Sequence, residues 1–215
     1  MTPDNTITNK ARVSIVERLV PSISYAATAV SGAFGSLLIF QLSDQLRKAE
    51  TAGITSFLRG TSEIELAVGI MLLISAGFGG CAILVSVVRL FTTNTKASPP
   101  GALFLFVGLL SLVPAFVVHY ALHMLEHAAL SRVEGGISSV EGTVKALSYF
   151  APAAALVVIV ILIAFSFIPF SSRIGRKYSP VVFLIIVEIA VIGLAGIFFW
   201  QAIQAREYMS GPLFQ

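Results

Sequence analysis

The sequence predicts an all-α integral membrane protein, a bundle of five transmembrane helices with short amphipathic segments at its outer surface. Two observations favour this class over a soluble fold. Hydrophobic residues make up 56% of the 215-residue chain and charged residues only 12%, whereas about a quarter of residues in a soluble domain are charged. The apolar residues also gather into five runs, each of the roughly 20 residues that a helix needs to cross a bilayer.

The five runs fill the chain and leave no room for a separate soluble domain, so residues 1–215 are expected to form one transmembrane domain. Ser62 and Glu65 have the spacing of a capping box that would open the second span. The short basic loops after the second and fourth spans predict two tight helical hairpins. The predicted spans lie near residues 19–42, 65–91, 102–127, 149–170 and 180–203.

The first span is the most polar of the five and carries a face of small residues. Ser24, Thr28, Gly32 and Ser36 follow one another at a strict spacing of four. Such a face lets another helix approach closely and share hydrogen bonds across the contact. We therefore expect this helix to be buried, packed against its neighbours or against a partner subunit.

Charge indicates the partners and the orientation of the chain. A net charge of +3 fits contact with anionic lipid headgroups better than binding to nucleic acid. The N-terminal segment and the loops near 92–101 and 171–179, with their flanks, hold eight Lys and Arg residues, against six on the opposite face. The positive-inside rule then places the N-terminus in the cytoplasm, in a cell (inner) membrane.

All three histidines of the chain lie near the end of the third span. His119, His123 and His127 follow at i, i+4 and i+8, with Glu126 beside them. On a helix these four side chains share one stripe. Two histidines at i, i+4 can bind one divalent metal, and a single histidine can bind a haem iron. The other interpretation is a set of interfacial histidines that hydrogen-bond to headgroups, water or a neighbouring helix.

The segment His123-Met124-Leu125-Glu126-His127 also resembles the H-x-x-E-H motif of inverted zincin peptidases. The resemblance covers five residues. Those peptidases use a large soluble α/β domain and a distant acidic ligand, and neither is evident in this sequence. We therefore expect no catalytic activity of the protein's own.

Glu188 is the one acid placed deep inside a predicted span, eight residues after Pro180. Acids at such depth usually face the interior of the bundle and often mark an ion path. Counting residues along the predicted spans puts Glu188 at the same depth in the membrane as Tyr25, Thr28 and Ser111. Three interpretations stay open: a neutral carboxylic acid bonded to the first span, a step in a proton or cation path, and a contact to another subunit.

The sequence thus leaves three candidate functions. The first is a non-enzymatic membrane subunit that packs into a larger complex or into a homo-oligomer, with the lipid bilayer and other membrane subunits or its own copies as partners. The second is a redox or transport subunit whose histidine stripe binds a divalent metal or a haem. The third is a proton or cation conduit through Glu188.

Overall fold

The computed structural model describes residues 5–48, 53–92, 101–131, 136–167 and 180–210. Five helices account for them, and this part of the chain contains no strand. Each helix has a segment long and apolar enough to cross a membrane. The predicted fold class is confirmed, and the chain is a multi-pass integral membrane protein. The helices are α1 Asn5–Lys48, α2 Gly53–Thr92, α3 Gly101–Ser131, α4 Gly136–Phe167 and α5 Pro180–Met209.

The apolar segments of these helices agree with the predicted spans to within a few residues, except where two spans begin earlier. The second begins at Ser56 rather than near 65, and the fourth at Val140 rather than near 149. One of the expected amphipathic segments is the stretch between the first two predicted spans, and most of it is helical because α1 continues to Lys48 and α2 begins at Gly53.

The arrangement of the helices departs from the expected pair of tight hairpins. Helix α1 packs against α2, α3 and α4, while α5 packs mainly against α2. Consecutive helices α2 and α3 touch only slightly, and α4 and α5 have at most a marginal contact within the described ranges. Among the described helices, packing between faces rather than adjacency in the chain therefore decides the neighbours.

The small-residue face of α1 explains why this helix is central. Ser24, Thr28, Gly32 and Ser36 are all buried. The hydroxyl of Ser24 donates to the carbonyl of Ser75 on α2 at 3.4 Å. On the α3 side, a Cβ added to Gly32 would lie 2.6 Å from the backbone nitrogen of Ala115. This face is therefore covered by α2 and α3 of the same chain, and a partner subunit would have to bind elsewhere.

Candidate functional site

Three acids that pack between helices inside the spans lie in two layers, which we name after them. The Glu188 layer contains Glu188 on α5 and its contacts on α1 and α2. The Glu65–Glu126 layer joins α2 to α3. Glu188 rests on Gly79 of α2, fourteen residues from Glu65 on the same helix, which corresponds to about 21 Å along the axis. The two layers are therefore separate sites on either side of the middle of α2.

Glu188 is half-buried, and its carboxyl group lies directly over Gly79. A Cβ added at Gly79 would sit 2.6 Å from the carboxyl carbon, and the three nearest heavy atoms all belong to Glu188. Glycine at this position is what allows the carboxyl group to lie against the backbone of α2. The acid is thus held at the contact between α2 and α5, with part of its surface open.

Of the three residues predicted to share the level of Glu188, only Tyr25 has a recorded interaction with it among the described residues. Tyr25 is 1% exposed and interacts electrostatically with Glu188. Thr28 is buried and donates to the Ser24 carbonyl at 3.0 Å. Ser111 is also buried and donates to the Gly108 carbonyl at 2.7 Å. The structure therefore brings Tyr25 to Glu188, whereas the other two hydroxyls satisfy their own helices.

The first histidine of the stripe is tied to α5. Nδ1 of His119 lies 2.9 Å from Oε1 of Gln201, and because an amide oxygen can only accept, Nδ1 is the donor. The His119 ring also meets Phe198 edge-on, with centroids 5.8 Å apart. This hydrogen bond fixes the orientation of the imidazole and leaves Nε2 with a free lone pair in the neutral ring.

The other two histidines lie at the surface of α3. The rings of His123 and His127, both exposed, have centroids 5.9 Å apart and planes inclined by 81°. Glu126 turns instead towards α2, where its carboxyl group hydrogen-bonds to the hydroxyl of Thr61. Across the described ranges, no group of three or more His, Cys, Asp or Glu side chains is placed to hold a metal ion. The metal interpretation of the stripe gains no support from this geometry.

Glu65 is the residue that sequence reasoning missed. Since α2 begins at Gly53, the acid lies in the interior of the helix and the predicted capping box is wrong. The hydroxyl of Ser62 donates to the Arg59 carbonyl at 2.8 Å instead. Glu65 itself is 0% exposed.

A signal for this burial is present in the sequence of α2. Thr61, Glu65, Val68 and Leu72 follow at i, i+4, i+7 and i+11, the spacing of one helical face. All four are buried. An acid on an otherwise apolar face inside a membrane helix is therefore the pattern that identifies Glu65.

Comparison with known proteins gives no match: no family model, no curated protein and no solved structure is significantly similar to this chain.

Proposed function

We propose that the protein moves protons or small cations across the membrane, with Glu188 as a binding residue on the path. The observation that carries this proposal is the position of the Glu188 carboxyl group within a membrane span, held against Gly79 of α2. Acids inside membrane helices are costly and commonly mark proton relays or ion pathways. Glu188 lies seven residues beyond Val181, the start of the apolar segment of α5, which is about 10 Å along the helix.

The chemistry required of Glu188 is the uptake and release of a cation. A carboxylate offers two oxygens to a proton or to a small hard cation. Tyr25, which interacts electrostatically with Glu188, carries a hydroxyl group that can donate or accept a hydrogen bond. Glu188 is half-buried, so its neighbours in the bundle leave part of its surface uncovered.

The setting of this function is a cell (inner) membrane with the N-terminus in the cytoplasm. The excess of Lys and Arg on the N-terminal face, eight against six, supports this orientation. Glu188 would then lie nearer the cytoplasmic face and the Glu65–Glu126 layer nearer the outer one.

Flux measurements in liposomes test the proposal. The purified protein is reconstituted into liposomes that hold a dye sensitive to protons, Na⁺ or K⁺, and a gradient of the matching ion is imposed. The wild-type protein is expected to dissipate at least one gradient, and Glu188→Gln to reduce the flux to the level of protein-free liposomes. Glu207→Gln is the matched control, because Glu207 is an exposed acid on the same helix. Wild-type flux equal to that of empty liposomes, or undiminished flux in Glu188→Gln, would refute the proposal.

A second candidate function, a non-enzymatic subunit of a larger membrane complex or homo-oligomer, is favoured by exposed glycines on α5. A Cβ added to Gly193 or Gly196 would meet nothing within 4 Å, and both residues are exposed. Two glycines three residues apart leave a shallow groove on which another helix can pack closely. Gly193→Leu together with Gly196→Leu should then abolish co-purification of partner chains or copies, and unchanged assembly would exclude this surface.

A further inference from the structure

The carboxyl group of Glu65 is buried without any hydrogen bond. The residue is 0% exposed, and neither Oε1 nor Oε2 has a partner in the part of the chain that the structure describes. An unsatisfied buried polar group is strongly unfavourable, and an isolated buried charge is more so. Something that neutralises this carboxyl group must therefore accompany it in the folded protein.

Glu126 brings a second carboxyl group from α3 to the same place. It hydrogen-bonds to Thr61, which lies one helical turn from Glu65 on α2, and its Oε1 atom is also buried without a partner. The Thr61 hydroxyl donates its single proton to the Leu58 carbonyl at 2.9 Å. The Thr61 hydroxyl therefore lies between the Leu58 carbonyl and the Glu126 carboxyl group, one helical turn from Glu65.

Among the described residues, no basic side chain pairs with Glu65, and His123 is the only one that acts on Glu126. The charged group that acts on Glu65 is Glu126, and His123 acts in turn on Glu126. On α1, the described residues at this level that pack into the bundle are Ile39, Leu42 and Ser43, and none of them titrates. Other titratable groups described at this end are exposed or paired: Arg59 and Glu63 on α2, His127 on α3, Tyr149 and the Glu141–Lys145 pair at 2.6 Å on α4, and Arg206 and Glu207 on α5.

We propose that Glu65 and Glu126 form a carboxyl pair that binds one exchangeable proton. Two adjacent carboxylates in a medium of low dielectric constant do not both ionise, so the pair retains a proton when a lone acid would lose it. A proton bound by the pair removes one of the two negative charges and gives one carboxyl group an O–H donor. His123, exposed three residues before Glu126, is placed to pass the proton between the pair and the membrane surface.

This site is independent of the proposed role of Glu188. It uses different residues, about 21 Å away along α2, and it would exist in a protein that conducts nothing. Carbodiimide labelling tests it directly, because these apolar reagents modify protonated carboxyl groups inside membranes. Peptide mass spectrometry then reports Glu65, Glu126 and Glu188 separately.

The expected result is labelling of Glu65 or Glu126 at acidic pH that decreases as the pH rises. In Glu126→Gln the like charge is absent, so the labelling of Glu65 should be lost at a lower pH than in the wild-type protein. Glu63→Gln is the control, since Glu63 is exposed on the same helix, and it should leave the profile unchanged. Labelling that is absent at acidic pH, independent of pH, or unaltered in Glu126→Gln would overturn the proposal.

A second variant and a comparison of two salts complete the test. If Glu126→Gln does not fold, Thr61→Val replaces it, because it keeps both carboxyl groups while removing the hydroxyl that supports Glu126. This variant should shift the labelling profile, and an unchanged profile counts against the proposal. Labelling is also compared in sodium chloride and choline chloride at constant pH. Selective protection by sodium would overturn the proton assignment in favour of an alkali cation bound between the carboxylates.

Discussion

Replacement of Gly32 by alanine should force α1 and α3 apart. A Cβ at this position would lie 2.5 Å from the carbonyl carbon of Pro114 and 2.6 Å from the nitrogen of Ala115. Ordinary contacts of a Cβ are 3.4–4 Å, so the two backbones must separate by about 1 Å. Since both neighbours are backbone atoms of another helix, a change of rotamer does not relieve the clash.

The expected loss of stability follows from two opposing terms. Overpacking of a well-packed interior costs about 1–3 kcal/mol, while alanine is preferred over glycine in a helix by up to about 1 kcal/mol. Gly32→Ala should therefore be destabilised by about 1–2 kcal/mol, a change of about 5- to 30-fold in the unfolding equilibrium. At a glycine whose added methyl group would contact no other atom, only the difference in helix propensity changes the stability.

Reversible unfolding in mixed micelles, followed by circular dichroism, measures these differences. Gly193→Ala is the matched control, because no atom lies within 4 Å of its added Cβ, and its stability should be unchanged or slightly higher. Gly60→Ala should fall between the two, since its Cβ would approach only the flexible end of Leu42, at 2.6 Å. Equal stability of Gly32→Ala and Gly193→Ala would refute the close packing of α1 on α3.

Three further predictions concern the polar contacts. Gly79→Ala should displace the Glu188 carboxyl group and lower ion flux in liposomes. It should change stability by less than about 1 kcal/mol, because the Glu188 side chain can move away from the added methyl group. A loss of stability without loss of flux would contradict this. A double-mutant cycle of His119→Ala and Gln201→Ala should give a coupling energy of about 0.6 kcal/mol, and up to about 1.7, while a value of zero would argue against the 2.9 Å hydrogen bond. Lys145→Ala removes a half-exposed ion pair with Glu141 and should cost no more than about 0.5 kcal/mol in the same unfolding assay; a loss above about 2 kcal/mol would indicate a buried role.

Hydropathy alone predicts the fold class because the hydrocarbon core imposes both a length and a composition on each span. Helix ends were harder to predict. Ser62 and Glu65 look like a cap when α2 is taken to begin with its apolar run, yet the helix extends to Gly53. The sequence also did not predict which helices pack against each other, because this depends on which helix faces fit together. The small-residue face of α1 made that helix central.

Depth along the helices was the only basis for the predicted site around Glu188. Counting residues placed Glu188 level with Tyr25, Thr28 and Ser111, and a functional site at this level stays a prediction. Counting does not give the rotation of one helix relative to another, so it did not reveal that Glu126 turns towards Thr61 rather than joining the histidines. It also overlooked Glu65, because an acid near the end of an apolar run looks like a surface residue until the helix is known to continue past it.

Site-directed cysteine labelling tests the central claim most directly, that five helices cross the bilayer and enclose these acids. The variants carry Cys81→Ser together with Phe91→Cys at the end of α2, Ser210→Cys after α5 or Ser56→Cys near the start of α2, and all three positions are exposed. A membrane-impermeant maleimide is applied from each side. The account predicts that positions 56 and 210 react from one side and position 91 from the other. Reaction of positions 91 and 210 from the same side would contradict the five-span bundle.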